Sequence, residues 1–203
     1  MMRRTIGIVD YGAGNLSSVW RALHRLDYRC RVSSDPEVLN GTDLLLLPGV
    51  GAFPAAMAKL HKHGMVDYLQ DAARGGRPIL GICLGMQLLA DASSEFQATP
   101  GLGLIPGEVK PLGQARWHIG WNNIEVVKND PIVRASDGCS FYFNHAYIFD
   151  APPEYRLCIS RLRDAFTIGV RRGNLVGLQF HPEKSQGAGR QLLRSVIEGL
   201  CRD

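Results

Sequence analysis

In the first part of the chain, short continuous apolar runs alternate with segments whose apolar residues recur at helical spacing. Continuous runs are typical of strands buried on both faces of a parallel sheet, and we predict them at 5–9, 43–47 and 79–82, with a short second strand at 30–32. The helical spacing predicts helices at 16–26, 53–60 and 65–73, with another beginning at Ser34-Asp35-Pro36. This alternation predicts an α/β fold with a mostly parallel sheet flanked by helices.

The pattern changes after Asp91, where residues 92–120 are rich in glycine and proline and show little helical spacing. Short β-type runs separated by turn residues follow, and they predict a partly antiparallel, β-rich portion added to the sheet. We predict these strands at 124–127, 141–149, 157–159, 168–171 and 175–179, a hairpin turn at 172–174 and a last helix at 190–200. Because no repeat, low-complexity tract or linker interrupts the chain, we expect one domain over residues 1–203.

Composition narrows the range of functions. The five cysteines are scattered and form no CxxC pair, which disfavours a disulfide framework or a zinc site and suits a reducing cytoplasm. No apolar run resembles a signal peptide or approaches the length of a membrane span. The net charge of +4 is mild and forms no extended basic stripe. We therefore expect a cytoplasmic protein that binds neither membrane nor nucleic acid.

The strand at 79–82 runs into a cysteine placed between two glycines, Gly81-Ile82-Cys83-Leu84-Gly85, and residues of helical character follow at 88–90. A reactive side chain on a sharp strand-to-helix turn is a nucleophile elbow, in which neighbouring side chains would clash. The N–H groups of the following helix would favour negative charge at the thiol. The alternative is a buried core cysteine flanked by packing glycines.

A cysteine nucleophile needs a base, and the base needs a group that orients it. The segment His181-Pro182-Glu183 follows the last strand, so its imidazole can meet Cys83 while the carboxylate holds the other ring nitrogen. By itself this segment could be a surface turn. Together with the elbow, it predicts a Cys-His-Glu triad.

Two other glycine-rich loops follow predicted strands. The loop at 48–51 exposes backbone N–H groups at the end of a central strand, where open α/β sheets bind ligands, although it could equally be a turn that needs positive φ angles. The loop at 10–15 lacks the third glycine of the dinucleotide fingerprint, and we interpret it as a close turn.

The elbow and the segment Phe180-His181-Pro182-Glu183 resemble the class I glutamine amidotransferases, whose fold is a flavodoxin-like sheet. Within that class the chain resembles the family of glutaminase subunits of imidazole glycerol phosphate synthases. The segments that carry the second resemblance are 10–15, 47–53, 118–122 and 181–186.

The resemblance implies hydrolysis of glutamine to glutamate and ammonia. Cys83 would attack the side-chain amide, His181 would pass a proton to the leaving ammonia, and Glu183 would orient His181. Backbone groups of Leu84 and of the turn would hold the developing oxyanion, and a second set of residues would bind glutamine. The turn residues are Gly49, Val50 and Gly51, and the glutamine-binding residues are Gln87, His145, Ala146 and Tyr147.

The resemblance also implies a partner but no cofactor and no metal. The ammonia would pass into a (β/α)8 cyclase subunit of a heterodimer, which forms imidazole glycerol phosphate and AICAR in histidine biosynthesis. Trp121, Tyr142 and Lys184 match positions near that interface and the ammonia exit. Trp121 could instead be a core aromatic residue, and Lys184 a solvated charge.

Two segments depart from the family pattern. Trp117-His118-Ile119 stands where Pro-His-Met is usual, and Asn144-His145-Ala146-Tyr147 where Val-His-Ser-Tyr or Val-His-Thr-Tyr is usual. Neither change touches the triad, so glutaminase chemistry is expected in either case. The alternatives are a paralogous glutaminase that feeds a sugar-modifying synthetase of surface-polysaccharide pathways, a non-catalytic regulatory subunit, and a cysteine peptidase or stress protein with a similar elbow.

Overall fold

The structure is a computed structural model that describes residues 3–113 and 116–201. The helices are α1 (Leu16–Arg25), α2 (Pro36–Asn40), α3 (Phe53–Lys62), α4 (Met65–Arg74), α5 (Leu84–Gln87) and α6 (Gln186–Leu200). The strands are β1 (Thr5–Val9), β2 (Arg29–Ser33), β3 (Leu44–Gly49), β4 (Ile79–Cys83), β5 (Ala92–Ser93), β6 (Thr99–Pro100), β7 (Glu108–Pro111), β8 (His118–Asn123), β9 (Glu125–Val126), β10 (Ser140–His145), β11 (Tyr147–Asp150), β12 (Arg156–Arg161), β13 (Ala165–Arg172) and β14 (Leu175–Leu178).

The main sheet has eight strands in the order β2-β1-β3-β4-β14-β13-β12-β9. Its first five strands pair in parallel, and β13, β12 and β9 continue it antiparallel. An antiparallel ribbon of β8 and β10 and a small sheet in the order β11-β7-β5-β6 complete the fold. The prediction of a mostly parallel sheet with an added antiparallel portion is therefore confirmed.

Two apolar layers bury the faces of the main sheet. Ile8 of β1 lies in one cluster with Leu23 of α1 and Val196 of α6. Leu45 of β3 lies in the other with Leu69 of α4. The apolar runs at 5–9, 43–47 and 79–82 contribute residues to both clusters, as expected for strands that helices cover on both sides, whereas β2 at the sheet edge is largely exposed. The prediction that the last helix covers one face of the sheet is confirmed, and that helix begins four residues earlier than predicted, at Gln186.

Two predicted elements are wrong. The run 141–149 is not one strand, because it breaks at Ala146 between β10, which pairs with β8, and β11, which pairs with β7. The helical character at 88–90 does not extend α5, which ends at Gln87. The carbonyls of Leu88 and Ala90 instead accept hydrogen bonds from the following loop, so burial rather than helix formation explains these apolar residues.

The region 92–120 was predicted only as irregular, but it supplies β5, β6, β7 and the start of β8. Strands of two to four residues are too short to show the alternation of apolar and polar residues that identifies a strand in a sequence. The hairpin at 172–174 is confirmed, since Arg172 pairs with Leu175 across a turn in which Gly173 has φ 56°. In the described part of the chain, no helix has both the length and the apolar character needed to span a membrane.

Candidate active site

Cys83 lies at the end of β4, at the centre of a sharp turn into α5. Its backbone has φ 56° and ψ −114°, a conformation that a non-glycine residue adopts only when its surroundings enforce it. A Cβ on Gly81 would lie 2.5 Å from the carbonyl oxygen of Gly85, and one on Gly85 would lie 1.9 Å from that of Leu47. The two glycines of the elbow are therefore needed for close backbone contact.

His181 follows β14, the strand that pairs in parallel with β4. Its backbone N–H donates to the carbonyl of Tyr142 at 2.9 Å, and the Ser185 hydroxyl donates to its carbonyl at 2.7 Å. The imidazole lines the same cavity as the Cys83 side chain and interacts with it, and its Nδ1 lies 2.8 Å from Oε1 of Glu183. The structure thus brings the three predicted triad residues together, with the ring of His181 hydrogen-bonded to Glu183.

Burial and nearby charge have opposite effects on the pKa of His181. The side chains of His181 and Glu183 are only 4% and 1% exposed. Burial alone lowers the pKa of His181, but hydrogen bonds and charge from Cys83 and Glu183 outweigh it and raise that pKa to about 9. The interactions with Cys83 and Glu183 therefore favour the protonated ring. Oε2 of Glu183 is buried and has no hydrogen-bond partner within residues 3–113 and 116–201.

The triad opens into a cavity of about 570 Å³. The predicted residues that line it are Val50, Gly51, Cys83, Leu84, Gln87, His145, Ala146, Tyr147, His181 and Lys184. Gly49 and Glu183 lie behind its wall. A Cβ on Gly49 would meet the backbone nitrogen of Gly85 at 2.8 Å, so this glycine lets the turn and the elbow touch. The cavity is large enough for an amino acid.

Gln87, in the cavity wall, is linked to the Cys83 side chain through Gln179, a residue that was not predicted from the sequence. Its amide donates to the carbonyl of Tyr147 at 2.9 Å and to Oε1 of Gln179 at 3.0 Å. Gln179 is completely buried, and its Nε2 donates to the Cys83 sulfur at 3.9 Å. Its position two residues before His181 was the available signal.

The His145 side chain is part of a second buried network. Its Nδ1 lies 2.9 Å from the carbonyl of Tyr147, and its Nε2 lies 3.0 Å from Nδ1 of His118. Burial first, and then the charges of His118 and His181, lower the pKa of His145 to about 4 despite the bond to Tyr147. Both ring nitrogens of His145 therefore have partners within the protein. The side chain of Ala146 has no hydroxyl, so only its main chain can offer polar groups to the cavity.

Glu95 is a second residue that the sequence analysis missed. It is buried, lines the cavity, and its Oε2 accepts the backbone N–H of Phe53 at 2.8 Å. Burial raises the pKa of its carboxyl group, and the bond to Phe53 partly offsets this effect. No pattern in the irregular region 92–120 distinguishes Glu95 from a surface acid.

The three residues predicted at the partner interface contact one another beside the triad. The rings of Trp121 and Tyr142 meet edge to face with centroids 6.2 Å apart, and Nζ of Lys184 lies 5.7 Å from the centre of the Tyr142 ring. Trp121 is 51% exposed, so it is not a core aromatic residue. Phe96 and Trp117, which are also exposed, line the cavity itself.

None of the five cysteines, all of which lie in the described ranges, forms a disulfide. Burial raises the pKa of Cys158 to about 12 and, against the charge of Arg3, that of Cys30 to about 11, so neither resembles a reactive thiol. Within the described ranges, no group of three or more histidine, cysteine, aspartate or glutamate side chains is placed to hold a metal ion.

Comparison with known families agrees with this geometry. The family profile described as glutamine amidotransferase class-I matches residues 7–198, so the chain belongs to that family. Among solved structures, a PurLQS chain from Thermotoga maritima superimposes with a TM-score of 0.77 at 21% identity over 98% of this chain and 100% of that one. A crystal structure of a glutamine amidotransferase gives a TM-score of 0.73 at 23% identity over 97% and 98%. At these identities the likeness concerns the fold alone.

Closer relatives narrow the family to imidazole glycerol phosphate synthase subunit HisH, to which this chain belongs. The protein of that name from Listeria monocytogenes is 40% identical over 197 residues, 95% of both chains. Those from Moorella thermoacetica and Symbiobacterium thermophilum are 43% and 44% identical over 200 residues. These alignments cover 96% and 97% of this chain, and 95% and 94% of the relatives.

Proposed function

We propose that this protein hydrolyses glutamine to glutamate and ammonia, with Cys83 as nucleophile, His181 as general acid and base, and Glu183 as the group that orients His181. The observation that carries the proposal is that Cys83 and His181 line one amino-acid-sized cavity, with Nδ1 of His181 2.8 Å from Oε1 of the buried Glu183 side chain. The expectation of a single domain remains a proposal, and the family match over residues 7–198 supports it.

In the first step the Cys83 thiolate attacks the side-chain amide carbon, and the carbonyl oxygen becomes negatively charged. Backbone N–H groups of Leu84 and of the turn at Val50 and Gly51 donate to this oxygen. Because Nδ1 of His181 faces Glu183, Nε2 is the nitrogen that gives its proton to the departing ammonia. The carbon–nitrogen bond breaks and a glutamyl thioester remains.

In the second step His181, now neutral, accepts a proton from water as the water attacks the thioester. The carbon–sulfur bond breaks, glutamate leaves, and the thiolate–imidazolium pair is restored. Glu183 keeps Nδ1 protonated throughout and stabilises the imidazolium.

The cavity also suits the α-amino acid end of glutamine. Glu95 supplies a buried carboxylate for the α-ammonium group. Gln87 and the main chain at Ala146 and Tyr147 form the wall against which the rest of the substrate lies. Water exclusion follows from burial of the triad.

Ammonia released into water at neutral pH would be protonated and lose its nucleophilicity, so the product is best passed directly to a second active site. The relatives carry the name of a synthase subunit, and we propose the same assembly here: a heterodimer with a (β/α)8 cyclase that forms imidazole glycerol phosphate and AICAR in histidine biosynthesis. The exposed cluster of Trp121, Tyr142 and Lys184 beside His181 forms part of its docking face. The cytoplasm is the proposed location, since it supplies the substrates of biosynthesis.

The other functions considered from the sequence are not favoured. A sugar-modifying synthetase as ammonia acceptor has no support from relatives at 40% identity or above that are named for the imidazole synthase. A non-catalytic subunit has no need for a complete buried triad. A peptidase or stress protein does not agree with the family match.

Reconstitution with the cyclase encoded by the same organism tests the proposal. The cyclase alone should turn over its imidazole precursor only with ammonium salts, and addition of this chain should make glutamine an effective nitrogen source. Glutaminase activity without transfer to the cyclase would contradict the proposed acceptor. Absence of glutamine hydrolysis in the assembled complex would contradict the proposed chemistry.

A further inference from the structure

The glycine loop at residues 10–15 lies directly beneath the turn that faces the nucleophile. The Tyr11 ring is completely buried, and its hydroxyl donates to the carbonyl of Pro48 at 2.8 Å. A Cβ on Gly14, which has φ 114°, would lie 3.3 Å from Cγ of Pro48, so the missing side chain leaves space for the proline ring. Two residues of the loop thus hold Pro48, one by a hydrogen bond and one by close packing.

The loop is itself held in place. Nζ of Lys59, on α3, donates to the carbonyl of Gly12 at 2.5 Å, and the Gly12 N–H donates to Oδ1 of Asp10 at 3.0 Å. Burial first, and then the nearby Cys83 charge, raise the pKa of the Tyr11 phenol above its ordinary value. Tyr11 therefore stays a neutral donor at any pH at which the protein is active.

The far end of the turn has a separate anchor. The N–H of Phe53, the first residue of α3, donates to Oε2 of the buried Glu95 at 2.8 Å. Pro48 and Phe53 are therefore both tied to buried side chains. The residues free to reorient are those between the two anchors.

The space around the intervening residues differs sharply along the turn. Gly49 is confined, because a Cβ there would lie 2.8 Å from the Gly85 nitrogen and 3.0 Å from the Tyr11 hydroxyl. Val50 is 44% exposed, and Gly51 has φ 98° with open space where a Cβ would stand. Rotation of the backbone can therefore occur at Val50 and Gly51 without disturbing the sheet or the elbow.

We propose that Tyr11 is a positioning residue for glutamine hydrolysis: its hydroxyl fixes the Pro48 carbonyl, so that only the peptide groups of Val50 and Gly51 reorient to stabilise the oxyanion. The inference rests on the function proposed above. It assigns a role to the glycine loop, which the sequence analysis interpreted only as a close turn. The Tyr11–Pro48 hydrogen bond positions the groups that stabilise negative charge in the transition state. Its loss should therefore lower kcat more than it changes KM.

The test compares Tyr11→Phe with Tyr28→Phe in the complex with the cyclase subunit. Tyr28 is a matched control, since it is also buried and its hydroxyl donates to Glu198 at 2.7 Å, away from the site. Tyr11→Phe loses a buried hydrogen bond and Tyr28→Phe a partly buried one, each at a cost of about 1–3 kcal/mol. Activity is measured below the melting temperature of both variants, so that loss of folded protein does not enter the comparison.

We expect Tyr11→Phe to lower kcat for glutamine by about tenfold, less than loss of a direct oxyanion donor, with KM changed by less than about twofold. Tyr28→Phe should keep the wild-type kcat, and ammonia-dependent synthesis should be equal in all three complexes. A wild-type kcat in Tyr11→Phe, or an equal decrease in both variants, would overturn the inference. An inactive wild-type complex would instead refute the proposed function.

Discussion

The Cys83 thiol and the His181 imidazole line one cavity from the ends of two neighbouring parallel strands, β4 and β14. The register of these strands pairs Ile82 with Leu178, so the thiol and the imidazole emerge from the same edge of the sheet. That edge, where the strands end, is where open α/β sheets place their ligand sites. Parallel pairing is thus the reason that residues far apart in the chain form one site.

Replacement of Cys83 by alanine removes the nucleophile and leaves the rest of the cavity in place. Glutamine-dependent synthesis by the complex should decrease by at least about a thousandfold, since triad nucleophiles have effects of this size or larger. Synthesis with ammonium salts should be unchanged because the cyclase does not use the triad. Cys158→Ala, a change at a buried cysteine in another part of the sheet, is the control. Retention of glutamine use in Cys83→Ala would mean that another group attacks the amide.

The pH profile of glutamine hydrolysis should fall on its alkaline side near pH 9. His181 must be protonated to release ammonia, and its pKa in the folded protein is raised from 6.5 to about 9. The activity is therefore present below that pKa and lost as pH rises through it. The stability that the triad gains from the protonated ring has the same sign, being complete below about pH 6.5 and lost as pH rises through about 9.

The carboxylate of Glu183 contributes to this elevated pKa. Glu183→Gln removes that negative charge, so the alkaline limb of the activity profile should move to lower pH, and kcat should also decrease. Glu198→Gln, which changes a carboxylate bonded to Tyr28 instead, should leave the limb in place. An alkaline limb that stays at the same pH in Glu183→Gln would show that another group sets it.

Gln179→Met tests the connection between the substrate wall and the nucleophile. The change keeps a long unbranched side chain but removes the donor to the Cys83 sulfur and the acceptor for the Gln87 amide. Hydrogen bonds to charged groups are worth about 1.5–3 kcal/mol, so kcat/KM for glutamine should decrease by about 10–100-fold. Gln70→Met loses one bond to the Leu102 carbonyl outside the site and serves as the control. Equal kcat/KM in the two variants would contradict a role for Gln179.

Gly85→Ala should destabilise the fold itself. The added methyl group would lie 1.9 Å from the carbonyl oxygen of Leu47, which is main chain and cannot rotate away. We expect a loss of about 3 kcal/mol or more, or a decrease in melting temperature of about 6–12 °C. Gly187→Ala in α6 meets open space and should change the stability by less than about 1 kcal/mol. Similar melting temperatures for the two variants would mean that the elbow can relax.

Most helices and strands with clear apolar patterns were predicted correctly, and the errors fall on very short or interrupted ones. The parallel strands of the first half were found from continuous apolar runs such as 5–9 and 43–47, and the amphipathic helices from apolar spacing over eight residues or more. The break at Ala146 was missed because apolar residues on both sides belong to different sheets, and only pairing with β8 or β7 separates them. The buried pair His118 and His145 was also missed, since β8 brings the two rings together from separate segments.

The sequence by itself determined the elbow, because the clashes that exclude side chains at Gly81 and Gly85 are local to one turn and require glycine. It likewise determined the parallel half of the sheet and the pairing of a cysteine with a histidine and a glutamate. Only the tertiary structure decided which further side chains meet these three. Gln179, Glu95 and Tyr11 lie on separate strands and loops, and their contacts depend on strand order and register, which no single segment of sequence encodes.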